Sequence, residues 1–326
     1  SMTGILLIQL GTPDAPTAEA LKPYLRQFLS DPRVIENQGW KWKFILNAFI
    51  LTTRPKQSAQ KYARIWDPIT GSPLLHFTRR QTELLQEKFP GIPVRFGMIV
   101  GNPSVGSVVA EMIASGVDRL VVLPMFPQYS ATTSASATDS LFKALLKERR
   151  IPALRIVTSY GDHPAYLDAL EASLRDDLAG LAWTPEHFVV SFHGLPQSYA
   201  KAGDPYPAEV ERTTRELVKR MAWPKDLWSQ TYQSRFGRSE WLQPYTDDVL
   251  TSLAKKGVKR VFVALPGFTA DCLETIDEIG RESREVFRHA GGEQLHHGRC
   301  LNDHAKWIEA MERIIREEAG SWFEYR

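Results

Sequence analysis

Two stretches of this chain repeat one another. "GVDRLVVLPMFPQYSATT" (116–133) and "GVKRVFVALPGFTADCLET" (257–275) each run Gly-Val-x-Arg, an apolar strand, Leu-Pro and then phenylalanine. "LLIQLGTP" (6–13) and "FVVSFHGLP" (188–196) match in the same way, each a strand entering a Gly–Pro turn. A strand-and-loop unit that occurs twice constrains the chain to two similar halves. The join falls near residue 180, after a helix ending at Leu178 and before "WTPEH". This gives an N-terminal lobe over 3–180 and a C-terminal lobe over 181–326, with the last helix able to pack back on the first lobe.

The class of each half follows from what lies between the repeats. Short β-branched runs at Ile5–Leu10, Pro93–Val100, Arg119–Leu123, Leu154–Thr158, Phe188–Phe192, Trp228–Gln233 and Arg260–Leu265 predict strands. Amphipathic segments at Arg79–Lys88, Val105–Ala114, Ala165–Leu178, Ala208–Met221 and Thr246–Lys255 predict the helices between them. Strand–helix alternation of this kind gives an α/β fold with parallel sheets covered on both faces. Ligands of open α/β sheets bind beyond the carboxyl ends of the strands. The four repeated strand-end loops are therefore candidate site walls.

Composition removes several classes. A formal charge of +2 gives no reason to expect nucleic acid as a partner. Two cysteines, Cys272 and Cys300, cannot make a disulfide framework or a four-cysteine metal or iron–sulfur site. The first residues lack the charged lead and small-residue cleavage site of a signal peptide. No apolar run approaches the ~18–20 residues of a membrane span. A cytoplasmic, reduced protein is expected.

The residues suited to chemistry lie at the strand ends. His193 closes a strand, and the Gly194–Pro196 exit projects its imidazole from the sheet end. Histidine takes or releases a proton near neutrality, its ordinary pKa being ~6.5. Downstream, "GFTADCLETIDEIGRES" (267–283) spaces Glu274, Glu278 and Glu282 four residues apart, with Asp271 just before. On an α-helix this is one stripe of like charges, each pair unfavourable by about 0.2–0.5 kcal/mol. Most charge runs are solvated helix faces. Here the run starts at the loop after an apolar strand, at the sheet end shared with His193, so Glu274 is expected to face His193 across the cleft. A row of carboxylates leading away from that point suits the passage of protons or of a hard divalent cation, and imidazole suits iron, zinc, copper and nickel. Phe126 and Tyr129, Trp241 and Tyr245, and Phe268 cluster in the remaining loops. Packing accounts for any one of them; together they suit a flat apolar ligand.

Residues 22–64 carry nine Lys/Arg and two acids, with "GWKWKFILNAFILTTRP" in their midst. Basic charge beside Trp40, Trp42, Phe44 and Phe49 is the pattern of a helix lying in a membrane interface. A helical lid packed on the body fits the same residues, and both readings stand.

"SFHGLPQSYAKAGDPYP", "TYQSRFGRSEWLQPYTDD" and "PGFTADCLETIDEI" resemble the signature segments of ferrochelatases, the enzymes that insert ferrous iron into a porphyrin to make haem. "LIQLGTPDAPTAEALKPYLRQFLSDPRVIE" and "LPMFPQYSATTSAS" resemble further segments, in the family's order, so that the match runs from about Gly4 to Trp307. The resemblance implies two Rossmann-like, chelatase-like lobes with a porphyrin cleft between them. It implies a lyase-class metal chelatase of haem biosynthesis whose partners are protoporphyrin IX and Fe²⁺. It places His193 as the group that takes a pyrrole proton or meets the metal, Glu274 opposite it, and Asp271, Glu278 and Glu282 as the acidic row behind. It places Trp241, Phe268, Phe126, Tyr62 and Ser72 along the porphyrin. Iron is then a substrate, no cofactor is permanently bound, and the cysteine-bearing tail that holds a [2Fe–2S] cluster in some relatives is lacking.

Two departures from the family pattern matter. Leu10 stands before Gly11 where coproporphyrin-using members tend to carry tyrosine, which favours protoporphyrin IX and a peripheral contact with the inner membrane face. Ile99 and Val100 stand where many relatives carry a basic or polar residue and then an aromatic one, so an anchor for a substrate carboxylate is missing or supplied elsewhere. The competing readings are a chelatase for coproporphyrin or another tetrapyrrole, and a non-catalytic porphyrin- or haem-binding protein.

Overall fold

The computed structural model describes residues 1–323, which divide into two compact units, 1–159 with the chain from Met311 onward, and 160–310. The division falls at 159/160 and not near 180. The helix Pro164–Ala179 goes with the second unit because its buried Tyr166 hydroxyl donates to the Pro266 carbonyl there.

In the first unit, β1 (Thr3–Thr12), β2 (Val94–Gly101), β3 (Arg119–Pro124) and β4 (Ala153–Ile156) form a parallel sheet in the order β2-β1-β3-β4. The central strand is buried along its whole length except at Leu10, as a parallel strand covered on both faces should be. Leu6, Ile8, Leu120 and Val122 meet Val108, Val109 and Met112 of the helix Val105–Ala114 and Leu141 of the helix Ser136–Leu145. Ser104 caps the first of these helices by accepting from Ser107 N at 3.2 Å. At the strand's end only glycine fits position 11. Its φ is +132°, and a Cβ there would stand 1.8 Å from the Val100 carbonyl oxygen.

The second unit repeats the plan. β5 (His187–His193), β6 (Trp228–Gln233), β7 (Arg260–Ala264) and β8 (Gln294–His297) pair in parallel in the order β6-β5-β7-β8. The mirrored segments occupy matching places: β1 and β5 are central, and β3 and β7 lie on the corresponding side. Val189, Val261, Val263 and Leu295 pack with Leu250 of the helix Thr246–Lys255 and with Ile279 and Phe287. Strand β8 is absent from the sequence expectation because "QLHH" buries only Leu295 and shows no apolar run.

That edge strand is tied to the helix Pro164–Ala179 by Asp177, which accepts from His296 Nε2 at 3.0 Å and from Arg299 N at 2.7 Å. Burial alone would raise the Asp177 pKa. The His296 and Arg299 hydrogen bonds outweigh it and hold the carboxyl below its usual value. A carboxyl depressed on folding adds stability above its unfolded pKa and loses it as the pH falls through the folded one. Asp177→Asn should therefore cost about 1–2 kcal/mol near neutrality, and the difference from wild type should shrink in acid. Urea melts of both proteins at about pH 7 and about pH 3 read this; a penalty independent of pH would show the carboxylate charge to be irrelevant.

Between β1 and β2, the basic and aromatic stretch is helical over Trp40–Ile45, takes a wider i→i+5 turn over Leu46–Ile50, and continues as a helix over Leu51–Ile65. Leu46 and Leu51 turn inward, while Trp40, Phe44, Ile45 and Phe49 are exposed. Trp42 does not join them: its indole N–H donates to the Leu29 carbonyl at 3.1 Å. Among the described residues no helix is long and apolar enough to cross a membrane.

Candidate active site

The second sheet presents its site residues at the carboxyl ends of β5, β6 and β7. His193 is the last residue of β5 and its one exposed position. Its Nδ1 lies 2.8 Å from the Gly194 carbonyl oxygen. A carbonyl can only accept, so Nδ1 carries the hydrogen and Nε2 of the neutral ring keeps its lone pair. The backbone beneath is fixed on three sides. His193 pairs with Gln233 in register, Gly194 N donates to the Gln233 carbonyl at 2.7 Å, and the Tyr206 hydroxyl donates to the His193 carbonyl at 2.8 Å. A side chain at Gly194 would place a Cβ 2.8 Å from the Gln233 carbonyl oxygen and 3.0 Å from the Trp241 ring, so the turn that projects the imidazole requires glycine. The Trp241 ring lies 6.4 Å from the imidazole, and its buried indole N–H has no hydrogen-bond partner among the described residues.

The acid row is not the α-helical stripe expected of it. Leu273–Ser283 winds as a wide helix of the i→i+5 kind and reverts to α-helix only over Arg284–His289. Such wide turns are rare and concentrate at functional sites. Strand β6 holds this one from the side. Gln233 Nε2 donates to the Glu274 carbonyl at 3.0 Å and to Glu278 Oε1 at 3.2 Å. Ser234 grips the same carboxylate twice, N to Oε2 at 2.8 Å and Oγ to Oε1 at 2.5 Å. To do so Ser234 takes the left-handed conformation, φ +66°, which non-glycine residues adopt at a cost of order 1 kcal/mol. Burial pushes the Glu278 pKa up, the Ser234 hydrogen bond and a charged His193 pull it down, and the Glu274 charge pushes it up. His193 and Glu274 thus both bear on Glu278 at this sheet end.

Two others do not join them. Asp271 is buried and its oxygens are taken: Oδ1 accepts from Thr275 Oγ1 at 2.7 Å, and Oδ2 from Asn302 Nδ2 at 2.8 Å and Cys300 N at 3.3 Å. Its own N–H donates to Asn302 Oδ1 at 2.8 Å, which makes it a staple between the start of the wide helix and the 300–302 loop. Glu282 turns to Arg281, 3.2 Å away, whose guanidinium also holds Asp277. Among the described residues no three His, Cys, Asp or Glu side chains converge as a ready-made metal site. Phe268 is half-buried against the second core.

In the first unit the expected residues also gather at the carboxyl end of their sheet. Leu10 is the half-exposed position of β1, and Phe126 follows β3, partly packed on the core. Ser72 and Tyr62 are buried and face inward. Thr12 donates to the Ser72 hydroxyl at 2.8 Å. Tyr62 packs edge-on against Tyr24 and Trp66, and the Tyr24 hydroxyl donates to the Gly11 carbonyl at 3.3 Å. Ile99 is partly packed on the core and Val100 is buried, so this part of β2 offers no cation. Gln233 and Ser234 were missed from the sequence, although "TYQSRFG" places polar residues directly at a strand end.

Comparison with known proteins gives the family. The ferrochelatase family model matches residues 2–319. Curated relatives named ferrochelatase include one from Mesorhizobium japonicum, 47% identical over 98% of this chain and 92% of its own length, and one from Yersinia enterocolitica, 44% identical over 97% and 98%. Among solved structures, SirB from Bacillus subtilis with Fe³⁺ superposes with a TM-score of 0.57 over 100% of this chain and 98% of its own at 12% identity. CbiX, described as the terminal enzyme for biosynthesis of sirohaem in denitrifying bacteria, gives a TM-score of 0.52 over 96% and 98% at 14% identity. At such identities the structural likeness speaks for the chelatase-like fold alone.

Proposed function

Because this chain belongs to the ferrochelatase family, we propose that it inserts Fe²⁺ into protoporphyrin IX, with Nε2 of His193 as the base for the pyrrole protons. The reaction class is that of a lyase acting in haem synthesis. The observation that carries the assignment of the base is the hydrogen bond from His193 Nδ1 to the Gly194 carbonyl. It fixes the ring and leaves Nε2 as the acceptor at the open end of the sheet.

The protein has little covalent work to do. Two N–H groups occupy the centre of a free porphyrin, and both protons must leave as the metal forms its bonds to the four nitrogens. Binding a buckled ring exposes the nitrogen lone pairs and approaches the transition state more closely than the flat substrate does. General-base help then lowers the barrier to proton loss, typically by 10²- to 10⁴-fold in rate. When Nε2 takes a proton, the Gly194 carbonyl stabilises the imidazolium through Nδ1, and Glu278 supplies a nearby negative charge. Glu278 and Glu274 then pass the proton on, or present oxygens to the incoming iron. In the second unit Trp241 and Phe268 are suited to apolar contact with a macrocycle; in the first, Leu10 and Phe126 are suited to the same role, and Ser72 and Tyr62 support the end of β1. In this reading iron is a substrate and no cofactor is resident.

Leu10 favours protoporphyrin IX over coproporphyrin, since no hydroxyl at that position of β1 meets a more acidic macrocycle. Side-by-side insertion assays with the two porphyrins, each with Fe²⁺, Co²⁺ and Zn²⁺, test the assignment. Faster turnover of protoporphyrin IX with iron is expected. A preference for coproporphyrin overturns the substrate, and tight porphyrin binding with no acceleration of insertion overturns the enzyme.

The exposed row of Trp40, Phe44, Ile45 and Phe49 beside Lys41 and Lys43 supports a peripheral contact with an anionic membrane face. Basic residues near such a surface contribute about 1 kcal/mol each. Replacing Trp40, Phe44 and Phe49 with serine should at least halve sedimentation with vesicles rich in anionic lipid, while neutral vesicles retain little of either protein. Unchanged sedimentation would leave these residues as a lid.

A further inference from the structure

The porphyrin of the proposed reaction carries two propionate carboxylates, and the carboxyl end of β2 offers no cation to hold them, since Ile99 and Val100 pack inward there. The second unit supplies one beside the imidazole. Arg235 follows Ser234, whose backbone is pinned by its two bonds to Glu278. The Arg235 guanidinium lies over the Tyr245 ring, 4.9 Å from its centroid. The Tyr245 hydroxyl is in turn bonded to the Trp241 backbone, accepting from its N at 3.3 Å and donating to its carbonyl at 3.4 Å. Tyr245 is also bridged to Tyr232 of β6. A chain of fixed contacts therefore runs from the imidazole through Trp241 and Tyr245 to the guanidinium.

We propose that Arg235, seated on Tyr245, is an anion subsite that holds a carboxylate of the macrocycle and so sets its rotation over His193. Three features favour a ligand over an ordinary surface arginine. First, among the described residues no carboxylate lies within ion-pair distance of the guanidinium, although the side chain is ordered on an aromatic face. Second, its peptide neighbour Ser234 is held in a left-handed conformation by a site carboxylate, which fixes where the Arg235 side chain departs. Third, the guanidinium belongs to the same group of contacts as the imidazole, joined to it through Trp241 and Tyr245. A planar guanidinium donates two parallel N–H groups to a carboxylate, and stacking on an aromatic ring leaves those edges free.

The inference rests on the porphyrin reading above, and its test separates the two. Binding and metal insertion would be measured with protoporphyrin IX and with its dimethyl ester, which has the same ring and no charge, for wild type, Arg235→Ala and Arg238→Ala. Arg238 is an exposed arginine three residues on in the same loop, with no ion pair or aromatic platform among the described residues. Arg235→Ala should weaken binding of the diacid on the order of tenfold, carried by KM more than by kcat, and change the ester less than twofold. Arg238→Ala should change either substrate less than threefold. Equal losses on diacid and ester would show a packing role, equal losses from the two arginines would show only the loop's general charge, and no loss would remove the subsite. Each of these overturns the proposal while leaving the enzyme assignment intact. A wild-type protein that metallates neither porphyrin would overturn both.

Discussion

His193→Ala should lose iron insertion by ~10²- to 10⁴-fold, the range for removal of a general base, while porphyrin binding changes by less than tenfold. The expectation follows from where the side chain sits. The imidazole is exposed at the end of β5 and contributes little to the core, so its loss should not unfold the unit. What supports it is backbone: the Gln233 register pair, the Tyr206 hydroxyl and the Gly194 turn all remain in the variant. The imidazole disappears, and with it the Nε2 lone pair and the bond to the Gly194 carbonyl. A porphyrin carrier without chemistry would show the reverse, with affinity altered and no turnover to lose. Steady-state insertion together with fluorescence titration of bound porphyrin separates the two outcomes.

Asp271→Ala should be the most destabilising change in the acidic segment, by about 3 kcal/mol or more. The family likeness places Asp271 in the acidic row, yet its carboxylate is spent on Thr275, Asn302 and Cys300 inside the second unit. Removing it takes the acceptor from the Asn302 amide and the Cys300 N–H and leaves the Thr275 hydroxyl its longer bond to the Cys272 carbonyl, and each unsatisfied buried group costs about 1–3 kcal/mol. Partial relaxation of the 300–302 loop would reduce the sum. The same change should leave the KM for Fe²⁺ within about twofold in whatever protein folds, because none of its oxygens is free for iron. Glu278→Ala should differ, with slower turnover and a smaller loss of stability, since relief of its buried charge offsets part of the cost of the Ser234 and Gln233 hydrogen bonds it gives up. Chemical denaturation and iron titrations on both variants check this. A stable Asp271→Ala protein with a greatly raised KM for iron would return Asp271 to the metal path.

Much of this arrangement could be read in the residues. The doubled Gly-Val-x-Arg and Leu-Pro segments correspond to β3 and β7, and the paired Gly–Pro exits to β1 and β5, because central parallel strands must be apolar on both faces and leave a strong pattern. His193 was legible for the same reason, as a titratable residue between an apolar strand and a glycine turn. Strand β8 was not, since an edge strand buries one residue in four and borrows its order from β7. The wide helix was not legible either. Four-residue spacing reads as α-helix, whereas the extra residue per hydrogen bond is sustained by tertiary partners, Gln233 and Ser234 on β6 and the Thr275 hydroxyl that accepts from Cys272 N at 3.0 Å. Asp271 and Glu278 look alike in sequence. What separates them is the partner each meets, a buried asparagine loop in one case and a strained serine in the other.

The account turns on a proton passing to Nε2 of His193 as the metal enters. The most direct measurement is the single-turnover rate of anaerobic Fe²⁺ insertion into prebound protoporphyrin IX as a function of pH, in wild type and in His193→Ala. The account predicts an acid limb in the wild-type profile and a slow, flat profile over the same interval in the variant, which lacks the base. An acid limb that persists unchanged in the variant, at a comparable rate, would assign the proton to another group and contradict it.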